Sequence, residues 1–181
     1  YGRGGHGSAP HNTIDPIVIA ARIVTTLQTI VAREVDPLDS AVVTVGTFHA
    51  GTRRNIIPGE AKLELTVRTY KPEVQQRVLE AIQRIAKAEA AAAAAPEPLV
   101  DLHPNEGASV VNNDPALTQR LAEMLKKSLG DDRVQTIEPV MGSEDFGVYG
   151  TTVNAPSIQF RIGSVNPELF ADAKARGRTM L

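Results

Sequence analysis

The fold is decided by residues 41–69, which read AVVTVGTFHAGTRRNIIPGEAKLELTVRT. Residues 41–49 are rich in β-branched side chains, and residues 61–69 alternate between apolar and polar side chains, so both stretches are predicted strands. The loop between them contains Pro58 and leaves no room for a helix. The two strands are therefore expected to form an antiparallel pair.

Helices are predicted on both sides of this strand pair. Apolar residues at helical spacing run through residues 16–33, with Thr13 or Asp15 as the capping residue. A second apolar stripe runs through residues 72–95 and ends in an alanine tract, which favours a helix over a flexible linker. Residues 99–103 could add a short strand. With one more strand in front, the order would be βαββαβ, so we predict a ferredoxin-like two-layer sandwich that lacks its first strand.

The pattern changes in the second part of the chain. Asn112, Asn113, Asp114 and Pro115 mark a helix start, and the amphipathic stretch 117–129 stops at Gly130. Strands are predicted at 134–137 and 157–162, with a loop at 141–150 and some helical spacing from residue 167. We therefore predict an α+β chain with two domains, residues 1–105 and residues 106–181.

Composition removes several classes of function. The chain has 181 residues, with 19 Lys and Arg against 21 Asp and Glu, so its net charge gives no general electrostatic argument for binding nucleic acids or anionic membranes. The absence of Cys excludes disulfides, thiolate catalysis and Cys-ligated zinc. No uninterrupted apolar run approaches the roughly 18 residues that span a bilayer. We expect a cytoplasmic protein whose chemistry comes from His, Ser, Asp, Glu, Asn and Arg.

The first residues are glycine-rich and are expected to be irregular. Gly2, Gly4 and Gly7 satisfy G-x-G-x-x-G, but no strand precedes them and the helix begins too late for its N-terminus to meet a pyrophosphate. Two explanations remain. The glycines form a flexible turn, or they hold His6 in an exposed position where its imidazole can donate a hydrogen bond to a developing oxyanion. For His11 we favour a structural, hydrogen-bonded histidine.

Four further polar residues are candidates for substrate binding. Asn55 could bind a substrate carboxylate or carbonyl, or cap a hairpin connection. Arg68, on the polar face of its strand, is either a solvated charge or a bidentate carboxylate clamp. Ser143 and Asp145, with Glu144 between them, could position substrate, lie near a metal or cap a helix, and nothing fixes a His beside Ser143 to make a triad. Spacing alone favours a structural role for each.

Four sequence motifs are more informative together than any of these residues is alone. They are residues 2–11 (GRGGHGSAPH), 55–58 (NIIP), 67–69 (VRT) and 141–146 (MGSEDF), in this order. This series resembles the zinc amidohydrolases and exopeptidases that include aminoacylase, hippurate hydrolase, bacterial carboxypeptidases and plant auxin-conjugate hydrolases. The likeness covers essentially the whole chain. It implies that residues 1–105 are the lid, or dimerisation, domain and that residues 106–181 are the C-terminal part of an α/β catalytic domain.

The resemblance also implies roles for individual residues. His6 matches the lid histidine that reaches into the active site of the partner subunit and polarises the scissile amide carbonyl. Asn55 matches a lid asparagine of the substrate site, and Arg68 corresponds more loosely to an arginine that binds substrate carboxylate in some members. Ser143 and Asp145 fall in the loop that lines the catalytic cleft. The role of Glu144 stays open.

Members of this family hold two divalent metal ions, zinc with manganese or cobalt as alternatives. Most of their metal ligands and their general-base glutamate lie before the position of Tyr1, and a further histidine is expected after Leu181. The resemblance therefore implies a homodimeric amidohydrolase or peptidase that cleaves N-acyl amino acids or related small conjugates, of which this chain is an inactive fragment without metal ligands. The alternative is a non-catalytic dimerisation or ligand-binding module derived from the lid.

Overall fold

The computed structural model describes residues 1–103 and 106–178. The chain forms two compact units, the first made of Tyr1–Gly107 with Pro139–Gly142 and the second of Ala108–Glu138 with Ser143–Leu181. The predicted domain boundary at residue 105 falls on residues 104–105, outside the described residues. The limits of the two domains, 1–105 and 106–181, therefore stay a prediction.

The first unit is a strand pair covered by two helices. Its elements, in chain order, are β1 (Gly5–His6), α1 (Pro16–Thr29), β2 (Ala41–Ala50), β3 (Ile56–Ile57), β4 (Ala61–Thr69) and α2 (Pro72–Ala92). β2 and β4 are antiparallel, with Ala41 opposite Thr69 and a register shift between Val45 and Thr47. β1 and β3 form a second, very short antiparallel pair. The predicted pairing of residues 41–49 with 61–69 is confirmed.

The core lies between the β2–β4 pair and the two helices. Leu27 and Ile30 from the first helical segment and Val78 from α2 are completely buried. Alternate residues of the strands, Val43 and Val67 among them, pack against this cluster from the sheet side. The intervening strand residues face away from it, as the period-2 pattern requires. This arrangement confirms the predicted mixed α+β, two-layer fold.

Three details of the first unit differ from the predictions. Residues 99–103 form no strand, because a strand is stabilised by a partner and none of the described segments pairs with them. Residues 1–11 are not wholly irregular, since they contain β1 and the start of a 3₁₀ turn at Pro10–Asn12. α2 ends at Ala92, three residues before the predicted end, and the chain then turns at Ala94, which has a φ of 51°.

α1 begins where the sequence indicates. Asp15 caps it by accepting a hydrogen bond from the Ile17 N–H at 2.9 Å, and a π-helical turn, Ile30–Glu34, extends it. The resulting segment Pro16–Glu34 contains an 18-residue window with a mean hydropathy of 1.3, so it is long and apolar enough to cross a membrane by length and composition. The core helix of a globular domain passes the same test, and here Leu27 and Ile30 are buried against α2 and the strands.

The second unit is helical where it is regular. It contains α3 (Pro115–Leu129), α4 (Gly147–Val153) and α5 (Pro167–Ala175). Asp114 caps α3 by accepting from the Leu117 N–H at 2.8 Å, which confirms the predicted helix start. The predicted loop at 141–150 is shorter than expected, because α4 begins at Gly147.

The strands predicted at 134–137 and 157–162 are wrong: neither segment is a strand. Residues 157–159 are bound to the start of α3 instead. The Asp114 N–H donates to the Ser157 carbonyl, and the Asn113 amide brackets Gln159, donating to its carbonyl oxygen at 2.8 Å and accepting from its N–H at 2.9 Å. Both segments carry β-branched residues, but the described part of this unit contains no sheet that they could join.

Candidate functional site

Three glycines let the first seven residues pass very close to neighbouring backbone. A Cβ on Gly2 would lie 2.2 Å from the Ile14 carbonyl oxygen, and one on Gly4 would lie 2.7 Å from that of Ile57. At Gly7 the corresponding distance, to the Asn55 carbonyl oxygen, is 3.2 Å. The G-x-G-x-x-G spacing is therefore explained by backbone packing, and no phosphate is needed to account for it.

This packing brings His6 and Asn55 together although they are distant in the sequence. β1 pairs with β3 so that His6 lies opposite Ile56, and the Gly7 N–H donates to the Asn55 carbonyl oxygen at 2.9 Å. Nδ2 of Asn55 lies 3.5 Å from Nε2 of His6, and both side chains are exposed. Of the predicted site residues, these two form one local site.

Ser8 sets the protonation pattern of the His6 ring. Its backbone N–H points at Nδ1 of His6 at 3.2 Å, and its Oγ lies 2.7 Å from the same nitrogen. A backbone N–H can only donate, so in the tautomer that accepts it Nδ1 is the accepting nitrogen and Nε2 carries the proton of the neutral imidazole. Ser8 was not among the site residues predicted from the sequence; the signal that could have found it is a serine two residues after a histidine in a glycine-rich turn.

Two hydrogen-bond donors therefore lie side by side. Nε2–H of His6 and the Nδ2 amide of Asn55 are 3.5 Å apart, so a single oxygen atom can lie about 2.9 Å from both. Two donors that meet at one oxygen are the arrangement that stabilises the negative charge developing on a carbonyl oxygen. The chemistry of this pair is the binding and polarisation of a carbonyl or carboxylate.

A cavity of about 350 Å³ lies beside the loop that carries Asn55. It is lined by eight residues, which are His49, Ala50, Gly51, Thr52, Ile56, Pro58, Glu60 and Lys62. The Lys62 ammonium is paired with Glu64 at 2.6 Å, and this pairing raises the pKa of Lys62. One of the lining residues, Ile56, is the β3 residue that pairs with His6.

Arg68 is not part of the His6 and Asn55 pair. Lys62 lines the same cavity as Ile56, the residue opposite His6. β4 continues for six residues from Lys62 to Arg68, which is about 20 Å at roughly 3.3 Å per residue. There the Nη1 atom of Arg68 donates to the Met141 carbonyl oxygen at 2.7 Å. Its predicted contact with substrate stays a prediction.

Ser143, Glu144 and Asp145 belong to the second unit and are exposed. Asp145 lies in the turn that starts α4, where its carbonyl oxygen accepts a hydrogen bond from the Val148 N–H at 3.4 Å. The predicted roles of Ser143 and Asp145 in substrate binding stay predictions.

No group of three or more His, Cys, Asp and Glu side chains that could hold a metal ion is found in residues 1–103 and 106–178. The nearest arrangement is His103, whose ring nitrogens lie 3.2 Å from Asp101 and 2.9 Å from Glu106. Asp101 in the first place, and Glu106, raise the pKa of His103. This is an ion-pair cluster on the surface.

Comparison with known proteins identifies the relatives of this chain. The peptidase dimerisation domain of the M20 family matches residues 1–94. The chain is 38% identical to the N-acetyldiaminopimelate deacetylase of Streptococcus uberis over 180 residues, which cover 96% of this chain and 45% of that protein. It is also 38% identical to the hippurate hydrolase of Campylobacter jejuni, covering 82% of this chain and 38% of that enzyme.

A solved structure shows the same relationship. A dinuclear metal-binding peptidase of the M20 family from Bacillus subtilis superposes with a TM-score of 0.54 at 31% identity, covering 79% of this chain and 35% of that one. The chain thus spans about 40% of the length of the relatives it matches. The resemblance inferred from the four motifs is confirmed, and the chain belongs to the M20 peptidase family, whose dimerisation domain it carries at residues 1–94.

Proposed function

We propose that this chain is part of a metal-dependent amidohydrolase or peptidase that cleaves the amide bond of N-acyl amino acids or related small conjugates. The observation that carries the proposal is the pair of donors, His6 Nε2–H and the Asn55 amide, fixed 3.5 Å apart. The names of the relatives agree, since one is a deacetylase of an N-acetylated amino acid and another hydrolyses hippurate.

The His6 and Asn55 pair would act on the scissile carbonyl. Both side chains donate to the carbonyl oxygen, and their hydrogen bonds strengthen as that oxygen gains negative charge in the tetrahedral transition state. Ser8 keeps the proton on Nε2, the nitrogen that faces Asn55. Arg68, Ser143 and Asp145 are proposed to contact the rest of the substrate.

The metal would be held elsewhere in the enzyme. Two divalent ions, zinc or alternatively manganese or cobalt, are proposed from the family, which includes a dinuclear metal-binding peptidase. The described residues of this chain do not fit such a centre, because no three metal-ligating side chains come together in them. We therefore propose that the 181-residue chain alone does not hydrolyse amides.

The functional unit is proposed to be a homodimer in the cytoplasm. The matched family is a peptidase dimerisation domain, and β2 and β4 pair only with each other among the described residues, which leaves an open edge on each strand. Pairing of an edge strand and α1 across a two-fold axis would carry His6 to the active site of the other subunit. A strictly monomeric enzyme in light scattering at high concentration would contradict shared catalysis.

The test is a His6→Ala substitution in the longer polypeptide that contains these residues, with His11→Ala as the matched control. His11 is an exposed histidine five residues along, in the 3₁₀ turn. We expect the His6 variant to lose about 10²-fold or more in kcat on N-acyl amino acids, since it removes an oxyanion donor, with an unchanged melting temperature. Equal turnover of the His6 variant and the control would remove His6 from the mechanism.

The alternative is a non-catalytic dimerisation or ligand-binding module built on the same domain. A dimer scaffold needs neither a fixed histidine tautomer nor a second donor beside it, and for this reason we favour the enzyme. The intact mass of the polypeptide from its source cells separates the two. A mass of 19.4 kDa supports the module. A mass of about twice that or more supports the enzyme.

A further inference from the structure

Ile56 is an exposed apolar residue beside the His6 and Asn55 pair. It lies opposite His6 in the β1–β3 pair, and the flanking Gly7 N–H donates to the flanking Asn55 carbonyl oxygen. In an antiparallel ladder this pattern marks a non-hydrogen-bonded pair, the kind in which the two facing side chains lie closest. The Ile56 and His6 side chains therefore project from the same face, with their Cβ atoms about 4.5–5.5 Å apart.

The two isoleucines of β3 face opposite ways. Ile56 is 41% exposed, whereas Ile57, which lies opposite Gly5, is half-buried. Successive residues of a strand point to opposite faces, so Ile57 faces away from the His6 side chain. An isolated exposed isoleucine is ordinary on a protein surface, and what distinguishes Ile56 is its position next to two hydrogen-bond donors.

Ile56 also lines the cavity of about 350 Å³. Pro58 lines the same cavity, whereas Ile57, between the two, does not, which agrees with the alternation of side chains along the chain. Residues from the end of β2 and the start of β4 complete the wall. Ile56 is therefore both the cross-strand neighbour of His6 and part of the wall of a cavity.

A carbonyl oxygen bound by both His6 Nε2–H and the Asn55 amide limits where the neighbouring substrate atoms lie. With a C=O bond of about 1.23 Å and a C–C bond of about 1.5 Å, the first atom beyond the carbonyl carbon is about 2.4 Å from the oxygen. One or two further bonds span the remaining distance to a side chain whose Cβ is about 5 Å from that of His6. A short aliphatic group on the substrate is therefore long enough to contact Ile56.

We propose that Ile56 is a specificity-determining residue, which makes the enzyme prefer substrates with an apolar group next to the scissile carbonyl. The Ile56 side chain packs against that group, and contact removes apolar surface of both from water. A polar group in the same place would lose its hydrogen bonds to water, because an isoleucine side chain offers it no partner. The apolar group belongs to the acyl half or to the amino-acid half of the substrate. This role of Ile56 rests on the function proposed above.

The first test needs no activity. In NOE spectra of the 181-residue chain, we expect cross-peaks between the Ile56 methyl groups and the ring protons of His6, because the two side chains share a face. The Ile57 methyl groups are the matched control and should give no cross-peak to that ring. Absence of the Ile56 cross-peaks, or equal cross-peaks from Ile57, would overturn the proposal.

Kinetics of the longer enzyme test the preference itself. The acyl series is N-acetyl-, N-butanoyl- and N-hexanoylalanine, and the amino-acid series is N-acetylalanine, N-acetylvaline and N-acetylleucine. For each substrate kcat/KM is measured relative to N-acetylalanine in the wild type, Ile56→Ala and Leu38→Ala. Leu38 is the matched control, since it is 94% exposed and precedes β2, whose other end, at Ala50, lines the cavity.

We expect Ile56→Ala to lower the relative kcat/KM of the larger substrates in one series about tenfold. This is the lower end of what a lost methylene contact costs in an apolar site, because Ile56 is only partly buried. Leu38→Ala should keep the wild-type ratios. The series that changes identifies the half of the substrate that lies against Ile56, and unchanged ratios in both series would overturn the proposal.

A merely structural role of Ile56 predicts a different pattern. If Ile56 only stabilises the β1–β3 pair, its truncation displaces His6 and lowers kcat/KM equally for every substrate. Ile56→Val keeps a β-branched side chain, which suits a strand, and loses one methylene, so its ratios should lie between those of the wild type and Ile56→Ala. An equal fall for all substrates in both variants would overturn the proposal.

Failure of this proposal differs from failure of the proposed function. An enzyme that hydrolyses both series with wild-type ratios in Ile56→Ala contradicts the role of Ile56 and leaves the proposed function intact. An enzyme inactive on every N-acyl amino acid contradicts the proposed function, and the role of Ile56 with it.

Discussion

The chain at β1 passes so close to β3 and the loop after it that a side chain at Gly4 is predicted to destabilise the fold. A Cβ at this position would lie 2.7 Å from the Ile57 carbonyl oxygen, 3.1 Å from the Pro58 carbonyl carbon and 3.2 Å from the Gly59 nitrogen. All three atoms are backbone, so no side chain can rotate away. In a Gly4→Ala variant, β1 would have to move by at least about 0.3 Å to restore a 3.0 Å contact.

Gly59 provides the matched control, because a Cβ there meets no atom within 4 Å. Neither glycine has a positive φ, so alanine suits both backbones. The gain from a stiffer unfolded chain, about 0.4–1 kcal/mol, is common to both variants and cancels in their comparison. What remains is the overpacking at Gly4, which costs about 1–3 kcal/mol.

The assay is thermal unfolding of the two variants under identical conditions. For a unit of this size 1 kcal/mol changes the melting temperature by about 4–8 °C, so Gly4→Ala is expected to melt at least about 4 °C below Gly59→Ala. The displaced strand also carries His6, so the Gly4 variant of the longer enzyme should lose turnover as well. Equal melting temperatures would refute the claim that the glycines are there for close packing.

Three further predictions concern the core, a helix cap and an ion-pair cluster. Leu27→Ala should lower the free energy of unfolding by about 2–5 kcal/mol in denaturant titrations, because Leu27 is completely buried, while Leu38→Ala, at a side chain 94% exposed, should change it by less than about 0.5 kcal/mol. Asp114→Ala should cost about 0.5–2 kcal/mol through the lost cap of α3, seen as reduced helicity in circular dichroism and an earlier urea midpoint. In an NMR titration the pKa of His103 should lie above 6.5 in the wild-type chain and fall toward 6.5 in Asp101→Asn. Because the pKa is raised in the folded state, the stability gained from this pair is complete below about pH 6.5 and disappears as the pH rises through the raised pKa. A normal pKa of His103 in the wild-type chain would contradict the ion pair.

The sequence predicted well those elements whose causes are local. α1 and α3 follow from helical apolar spacing with an aspartate in front, and Asp15 and Asp114 do cap them. β2 and β4 were predictable because the two partners are neighbours along the chain, and because residues 41–49 are rich in β-branched side chains while residues 61–69 alternate between apolar and polar ones. In these cases the signal and its physical cause lie within about 30 residues.

The predictions that failed concern segments whose structure depends on partners that are distant in the sequence. Residues 99–103, 134–137 and 157–162 have strand-like composition, but composition does not provide an edge to pair with, and in the described residues they stay irregular. β1 and β3 are the converse case, since two residues each carry no periodic signal and pairing alone makes them strands. The contact of Arg68 with Met141 is likewise invisible to spacing, because the two residues lie 73 positions apart in the sequence.

The site at His6 depends both on a local sequence motif and on pairing with a segment that is distant in the sequence. Taken as a pattern, Gly2, Gly4 and Gly7 fit a dinucleotide fingerprint, and only the absence of a preceding strand and the late start of the helix argued against that interpretation. In the structure a Cβ on Gly2 or Gly4 would clash with a neighbouring backbone atom and one on Gly7 would be crowded, and the strand that these glycines accommodate is the one that aligns His6 with Asn55. The same glycines that could not be assigned by spacing are therefore the reason why a histidine and an asparagine 49 residues apart present two donors to one point. A substitution that opened the β1–β3 pair without changing the glycines would keep the motif but separate His6 from Asn55. The evidence for the site is therefore the packing of β1 against β3, and the glycine motif alone is not sufficient evidence for it.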